Sequence, residues 1–410
     1  MSDQDLFAYP RGRLHAADKD LAASLQAMVQ KEVMDKRLEL KEDYDGLLAP
    51  SLARLMAEVG LQKMFWPEKL GGEEHNEPEA AYTVAAALEQ IGRADVGLAF
   101  LAAHSLALQA AVAAKGSCRE ELCAAVAPLF CEGNRPLIVS FVLPAMSQDG
   151  GAPEWRGKGI QVRAKSGPEG WTLSGKAVRP TCSGADAGLF GVLCAVDGEE
   201  PAFILVPGDS HGISREKEFL KTGLAASRNA DLDFEGVKVP AANCAWRGEE
   251  GFLNLLSWFY LGLAAAGSGA LLAVYEIIKE WGDNRVIKGR GQVFKENPLT
   301  AALMGEIAKE IAVDRLLAYN LADILSDPQA YGDDGPLAVF TSALMLVHHI
   351  YVSAEYTIHR TMELMASAGY AREWQLERYW RDLKTVQCYL GAYELAKHDF
   401  ARRFYHTKTL

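Results

Sequence analysis

The sequence predicts an α+β protein with an N-terminal helical domain, a middle β-barrel or β-sandwich domain and a C-terminal four-helix bundle. Three observations lead to this prediction: apolar residues at helical spacing early in the chain, short apolar runs between Gly and Pro in the middle, and long helical patterns from Gly251 onward. The 410 residues suffice for two or three domains, each with its own core. The expected domains are residues 1–133, 134–248 and 249–410.

The first domain is predicted to be helical because its apolar residues recur every three or four positions. Leu21, Leu25 and Met28 begin one such pattern, and Leu52, Leu55 and Met56 repeat it. A loop rich in Gly and Pro follows at residues 65–72. Beyond it, the apolar composition of residues 81–91 and 94–113 predicts a pair of long helices.

The middle domain is predicted to be a sheet because apolar runs there are short and separated by turn residues. The predicted strands cover residues 137–143, 160–164, 171–173, 189–195, 202–206 and 232–234. In the last domain, four long helical patterns predict an antiparallel bundle. They cover residues 252–281, 299–325, 335–365 and 373–404.

Composition argues against several classes of partner. The formal net charge is −12 and the pI is about 5.3, which disfavours nucleic acid as a partner. The longest apolar stretch, residues 258–275, is interrupted by Gly and Ser, so no membrane span is expected. The acidic N-terminus does not resemble a signal peptide, which predicts a cytoplasmic protein. Seven cysteines without a C-x-x-C pair indicate reduced thiols, and no metal site is expected without H-E-x-x-H.

Motifs at three places along the chain are those of a known family. Residues 65–72 resemble its P-E-x-x-G-G loop, and residues 88–95 resemble its E-x-x-x-R-x-D helix. Residues 234–240 resemble its F-x-x-V-x-V-P strand. Residues 368–382 resemble its segment with the motifs G-x-G-Y and E-R-x-x-R-D. Their order and spacing cover nearly the whole chain. The sequence therefore resembles the acyl-CoA dehydrogenases.

The resemblance implies a fold, a cofactor and a reaction. It implies a dimer or tetramer, homomeric or heteromeric, in which FAD lies between the β-domain and the bundle and a neighbouring subunit completes the site. The substrate would be an acyl-CoA thioester or a related small molecule, and the electron acceptor an electron-transfer flavoprotein or another protein. In the family's reaction the flavin takes a hydride from the β-carbon while a carboxylate removes the α-proton. Asp95 is expected to be structural and His104 to pack in its helix.

The resemblance also assigns cofactor contacts to individual residues. On the β-domain they are Val142, which stands where the family has threonine, and Ser147 and Gln148, in a turn that lacks both of the family's glycines. Thr181 is a further contact: Pro180 falls on the position of a second family threonine, and Thr181 could replace it with a one-residue shift. In the bundle they are Arg285, Glu363, Ser367 and Gly369. Arg285 would reach a pyrophosphate, although an arginine at a helix end also suits the helix dipole. Glu363 stands where the family has an amide, which predicts weaker FAD binding or a pair with Lys or Arg.

Neither of the family's two positions for the catalytic base holds an acid. Leu390 matches the first, within the substrate-binding segment Tyr389, Leu390 and Gly391, and Phe259 matches the second. Removal of an α-proton needs a positioned carboxylate, and Glu394, one helical turn from Leu390, is the nearest in sequence. A surface glutamate is the competing interpretation.

Three functions are compatible with these residues. The first is α,β-dehydrogenation of an acyl-CoA thioester by an FAD enzyme of fatty acid or aromatic acyl-CoA metabolism whose base lies elsewhere. The second is a non-catalytic, base-lacking subunit of a heteromeric acyl-CoA dehydrogenase. The third is a flavin monooxygenase on the same fold, which needs no α-proton base.

Overall fold

The N-terminal part of the chain is helical. The computed structural model describes residues 10–75, 79–113, 120–145, 153–332, 335–389 and 392–407. The helices of this part are α1 (Ala16–Val29), α2 (Asp35–Leu40), α3 (Ala49–Ala53), α4 (Ala80–Ala94), α5 (Val96–Ala113) and α6 (Glu120–Cys131). Every residue of α4 and α5 is buried, and α5 is apolar on all sides. Such helices lie inside a protein, so this pair forms the centre of the fold.

The middle part contains one eight-stranded mixed sheet and a separate hairpin. The strands are β1 (Val139–Val142), β2 (Glu154–Trp155), β3 (Lys158–Gly159), β4 (Val162–Gly167), β5 (Gly170–Val178), β6 (Leu189–Val196), β7 (Ala202–Pro207), β8 (Ile213–Arg215), β9 (Leu232–Val239) and β10 (Cys244–Arg247). The sheet order is β10-β7-β6-β4-β5-β9-β8, and β1 also pairs with β6 in parallel. Strands β2 and β3 form the hairpin.

Both faces of the central strands are buried, against two different cores. On β1, Val139 and Phe141 face the helices, while Val142 faces the core of the β-domain. Strands β6 and β7 alternate in the same way. Two buried faces explain why these strands read as uninterrupted apolar runs. On the helix-facing side of β1, the side chain of Phe141 lies at the junction between the sheet and the helices.

The C-terminal part is a bundle whose longest helix also packs on the N-terminal helices. Its helices are α7 (Glu250–Asn284), α8 (Pro298–Ser326), α9 (Pro336–Met365), α10 (Leu376–Tyr389) and α11 (Ala392–Tyr405). Helix α7 contacts α4, α5, α8 and α9. The order of helices, sheet and helices confirms the predicted fold class. The helical pattern expected at residues 373–404 is described as α10 and α11, and residues 390 and 391 between them lie outside the described residues.

An ion-pair cluster joins α11 to the hairpin of the β-domain. Asp399 is buried, and its two carboxylate oxygens accept hydrogen bonds from Arg156 Nε at 3.0 Å and Lys158 Nζ at 2.8 Å. The Arg156 guanidinium also packs over the rings of Trp155 and Phe340. This cluster holds the C-terminal helix against the sheet.

Two expectations from composition can be compared with the structure. Within the described part of the chain, α5, α7 and residues Pro336–Tyr370 are long and apolar enough to cross a membrane by length and composition alone, so the absence of a membrane span stays a prediction. Their most apolar windows are 100%, 83% and 56% buried in the fold, and packing against other helices accounts for the composition of α5 and α7. Cys123 is disulfide-bonded, contrary to the expectation of reduced thiols, whereas Cys131, Cys182, Cys194, Cys244 and Cys388 are not in disulfide bonds.

Candidate active site

The predicted flavin contact Thr181 is bonded to a histidine of the central helix pair. Nε2 of His104 lies 2.7 Å from Thr181 Oγ1, and Nδ1 lies 2.7 Å from the carbonyl oxygen of Phe100. A carbonyl oxygen can only accept, so Nδ1 carries the proton and, in the neutral ring, Nε2 accepts one. The Thr181 hydroxyl therefore donates its single proton to His104. The same oxygen accepts a hydrogen bond from the Phe141 N–H at 3.1 Å.

Burial keeps this histidine neutral. His104 is completely buried, and desolvation lowers its pKa to about 4, well below the ordinary value for histidine. At neutral pH the ring is therefore the uncharged Nδ1–H tautomer, in agreement with its hydrogen bonds. Both ring nitrogens are occupied, which leaves His104 without a free lone pair for a substrate proton.

Aromatic rings surround this hydrogen bond and fill the junction of α5, α7 and β1. The ring centroids of Phe100, Phe141 and Phe259 lie 4.7, 4.9 and 4.5 Å from that of His104. We call these four residues the ring cluster. Phe259, which stands at the family's second base position, is fully buried within it. The cluster contains no carboxylate.

The other residues predicted around the substrate lie mostly beyond the described residues. Leu390 and Gly391 are outside them. Tyr389 is the last residue of α10 and Glu394 belongs to the first turn of α11, but their side chains are also outside the described part. The substrate-binding segment and the alternative base remain predictions.

On the β-domain side, the described residues do not fit an isoalloxazine ring as they stand. The Val142 side chain is buried in the core of the β-domain, so only its backbone could contact a ligand. Thr181 is also buried, and its only proton is donated to His104. Ser147 and Gln148 lie outside the described residues.

On the bundle side, the predicted residues surround a different region. Arg285 follows α7 with an exposed guanidinium over the ring of Trp281, and its carbonyl accepts from the Phe294 N–H at 2.7 Å. Phe294 and Glu363 both line a cavity of about 290 Å³. An exposed guanidinium suits an anionic group such as a pyrophosphate. Of the predicted cofactor residues of one chain, Thr181 thus lies at the ring cluster, Glu363 lines this cavity, and the Arg285 backbone contacts the cavity-lining residue Phe294.

The acid at the family's amide position is paired. Glu363 accepts from Arg360 at 2.6 Å and lies 3.2 Å from His359 Nε2, so the expected pair with a basic residue is present. Ser367 is exposed. Gly369 is buried, and a Cβ there would lie 2.3 Å from the Met362 carbonyl oxygen, so close packing against α9 requires glycine at this position.

Ala366, where the family has glycine, adopts a backbone conformation that suits glycine. It follows α9 with φ 53° and ψ −132°. We expect Ala366→Gly to raise the free energy of unfolding by about 1 kcal/mol, because the strain outweighs the added chain entropy of glycine. Urea unfolding measures the change. Ala368→Gly in the same turn is the control and should lose stability; a loss of stability in Ala366→Gly as well would contradict the strain.

Buried ion pairs link the family-like motif of α4 to distant helices. Glu89 accepts two hydrogen bonds of 2.8 Å from Arg315 on α8, and Asp95 lies 2.5 Å from Arg37 on α2. Asp95 is thus part of a buried ion pair, as expected for a structural residue. The roles of the two arginines are not apparent from the sequence, because their partners are 226 and 58 residues away.

Several solved structures share this fold with the chain. Glutaryl-CoA dehydrogenase from Mycobacterium smegmatis superposes with a TM-score of 0.80 over 100% of this chain and 99% of its own, at 19% identity. A prolyl acyl carrier protein oxidase superposes with a TM-score of 0.78 over 95% of this chain and 99% of its own, at 20% identity.

Sequence comparison places the chain in one family. The models of the acyl-CoA dehydrogenase N-terminal and C-terminal domains match residues 16–133 and 250–405. The chain therefore belongs to the acyl-CoA dehydrogenase family, whose members are flavoprotein oxidoreductases of acyl-CoA metabolism. Cyclohexane-1-carbonyl-CoA dehydrogenase from Syntrophus aciditrophicus is 24% identical over 95% of this chain and 97% of its own. The mouse short-chain specific acyl-CoA dehydrogenase is 22% identical over 92% of this chain and 87% of its own.

Proposed function

We propose that this chain is a base-lacking subunit of an acyl-CoA dehydrogenase-type flavoprotein and works with a base-bearing partner. The observation that carries the proposal is the ring cluster. It puts Phe259 at a position where some family members have a glutamate, and its only titratable group, His104, has both nitrogens in hydrogen bonds. Neither residue can take up an α-proton from a thioester.

The bundle side supports a role in cofactor binding across a subunit boundary. In the family, the arginine matching Arg285 reaches the FAD of a neighbouring subunit. Here Arg285 is exposed and its carbonyl accepts a hydrogen bond from Phe294, which lines the same cavity as Glu363, whereas Thr181 of the same chain donates its proton to His104. We infer that Arg285, Ser367 and Gly369 complete the FAD site of a partner in a cytoplasmic dimer or tetramer. FAD would supply the hydride acceptor for an acyl-CoA, with an electron-transfer flavoprotein or another protein as acceptor.

Flavin content and flavin reduction test this proposal. We expect the chain purified alone to hold less than stoichiometric flavin and to show no loss of flavin absorbance when acyl-CoA thioesters are added without oxygen. Co-expressed with a base-bearing family member, it should copurify with flavin. Arg285→Ala in this chain should weaken FAD retention about tenfold, because a charge-assisted hydrogen bond is lost. Lys165→Ala, on the exposed side of β4, is the control for the charge change.

Dehydrogenation by this chain alone is the competing function. Stoichiometric flavin in the isolated chain, reduced by an acyl-CoA, would overturn the proposal. In that case Glu394→Gln tests the base: loss of flavin reduction with the flavin still bound would assign the proton transfer to Glu394. Oxygen consumption with an added reductant that reduces the flavin, coupled to transfer of one oxygen atom to a substrate and without acyl-CoA oxidation, would instead indicate a monooxygenase.

A further inference from the structure

A cavity of about 680 Å³ lies between the end of α2 and the start of α10, and its walls are basic. The cationic lining residues are Arg37, Lys41, Arg372, Arg378 and Arg381. Three glutamates also line it, so the lining carries a formal charge of +5 − 3 = +2. The whole chain has a net charge of −12, so this concentration of positive charge is local.

Two of these arginines are buried with part of their hydrogen-bonding capacity unused. Arg37 and Arg378 are each 3% exposed. Nη2 of Arg37 contacts Asp95, but Nε and Nη1 of both arginines have no hydrogen-bond partner among the described residues. Arg378 packs 4.1 Å above the ring of Tyr379. A buried charged donor without an acceptor is costly, so an acceptor supplied from the cavity would stabilise both side chains.

The carboxylates behind the cavity do not fully balance these two charges. Asp95 and Asp382 both lie 3.7 Å from Nη1 of Arg378. Burial raises the pKa of Asp382, which weakens the counter-charge that this carboxyl group offers to Arg378.

At the mouth of the cavity, two cations are available to a ligand. Arg381 is tied to Glu42 by an ion pair of 2.7 Å. Lys41 and Arg372 are exposed and form no ion pair with any described residue. The cavity thus has buried arginines in its wall and unpaired cations at its entrance.

We propose that this cavity binds a small phosphate-bearing ligand, with the phosphate group recognised by the buried arginines and by Lys41 and Arg372. Guanidinium groups bind phosphate oxygens in a bidentate manner, and a dianion matches the surplus charge of the lining. The volume lies within the range of sites for small molecules and cofactors. The ring cluster is built from other residues, so this site does not depend on the proposed function.

Calorimetric titration of the full chain in a phosphate-free buffer tests the proposal. The probes are inorganic phosphate and AMP, a phosphomonoester. We expect saturable binding of at least one probe, weakened about tenfold or more in Lys41→Ala/Arg372→Ala through loss of two charge-assisted contacts. The control is Lys165→Ala/Lys176→Ala, which removes two exposed cations from the β-domain and should bind like the parent chain.

The two probes separate the sources of the phosphate. Tighter binding of AMP would identify a phosphomonoester as the ligand class, and equal binding would identify free phosphate. No saturable binding of either probe would overturn the proposal. Equal weakening in both double variants would also overturn it, since that result indicates non-specific attraction to surface cations. Circular dichroism of both variants checks that the fold is unchanged.

Discussion

Arg315→Met is expected to lower the free energy of unfolding by about 3–5 kcal/mol, because it leaves Glu89 buried without a counter-charge. Glu89 and Arg315 are 1% and 0% exposed. Their bidentate pair joins α4 to α8, and Ser268 of α7 donates to the same carboxylate at 3.1 Å. Urea unfolding at a fixed protein concentration measures the loss.

Two further variants show whether the buried charge is the cause. Arg163→Met removes a similar arginine from the exposed pair with Asp197 and should change stability by about 1 kcal/mol or less. Adding Glu89→Gln to Arg315→Met should recover part of the loss, because it removes the unpaired charge. If Arg315→Met were no more harmful than Arg163→Met, the pair would not hold the helices together.

Asp314→Asn is expected to stabilise the protein by about 2–4 kcal/mol at pH 8 and by about 1 kcal/mol at pH 5. Asp314 on α8 is fully buried, and neither carboxylate oxygen has a hydrogen-bond partner among the described residues. Burial raises its pKa to about 8, from 3.8. Between these values the folded state holds a proton that the unfolded state has released. The group therefore lowers stability progressively as the pH rises through this window.

Unfolding in urea at the two pH values measures this effect as the difference between variant and parent. Asp20→Asn, an exposed aspartate on α1, is the matched control and should change stability by less than about 0.5 kcal/mol at either pH. An Asp314→Asn effect that is the same at pH 5 and pH 8 would mean that the carboxyl group does not titrate in this range.

Long periodic elements were predictable because their pattern is local. Helix α7 was expected at residues 252–281 and covers Glu250–Asn284; β6 was expected at 189–195 and covers Leu189–Val196. The two-residue strands β2 and β3 are too short to show a period of two, and the contact of their hairpin with Asp399 of α11 joins residues 243 positions apart.

The residue types at the site were likewise determined by the sequence alone. The sequence places Phe259 and Leu390 at the two positions where family members have the catalytic base, and Glu363 at the position where the family has an amide. These residue types do not depend on how the chain packs. What only the tertiary structure decided is that Thr181 gives its proton to His104, a residue 77 positions away. This contact exists because α5 packs against the helix-facing side of β1, where the rings of Phe141 and Phe259 enclose it. Packing between distant segments depends on the shape of the whole core, which no local periodicity encodes.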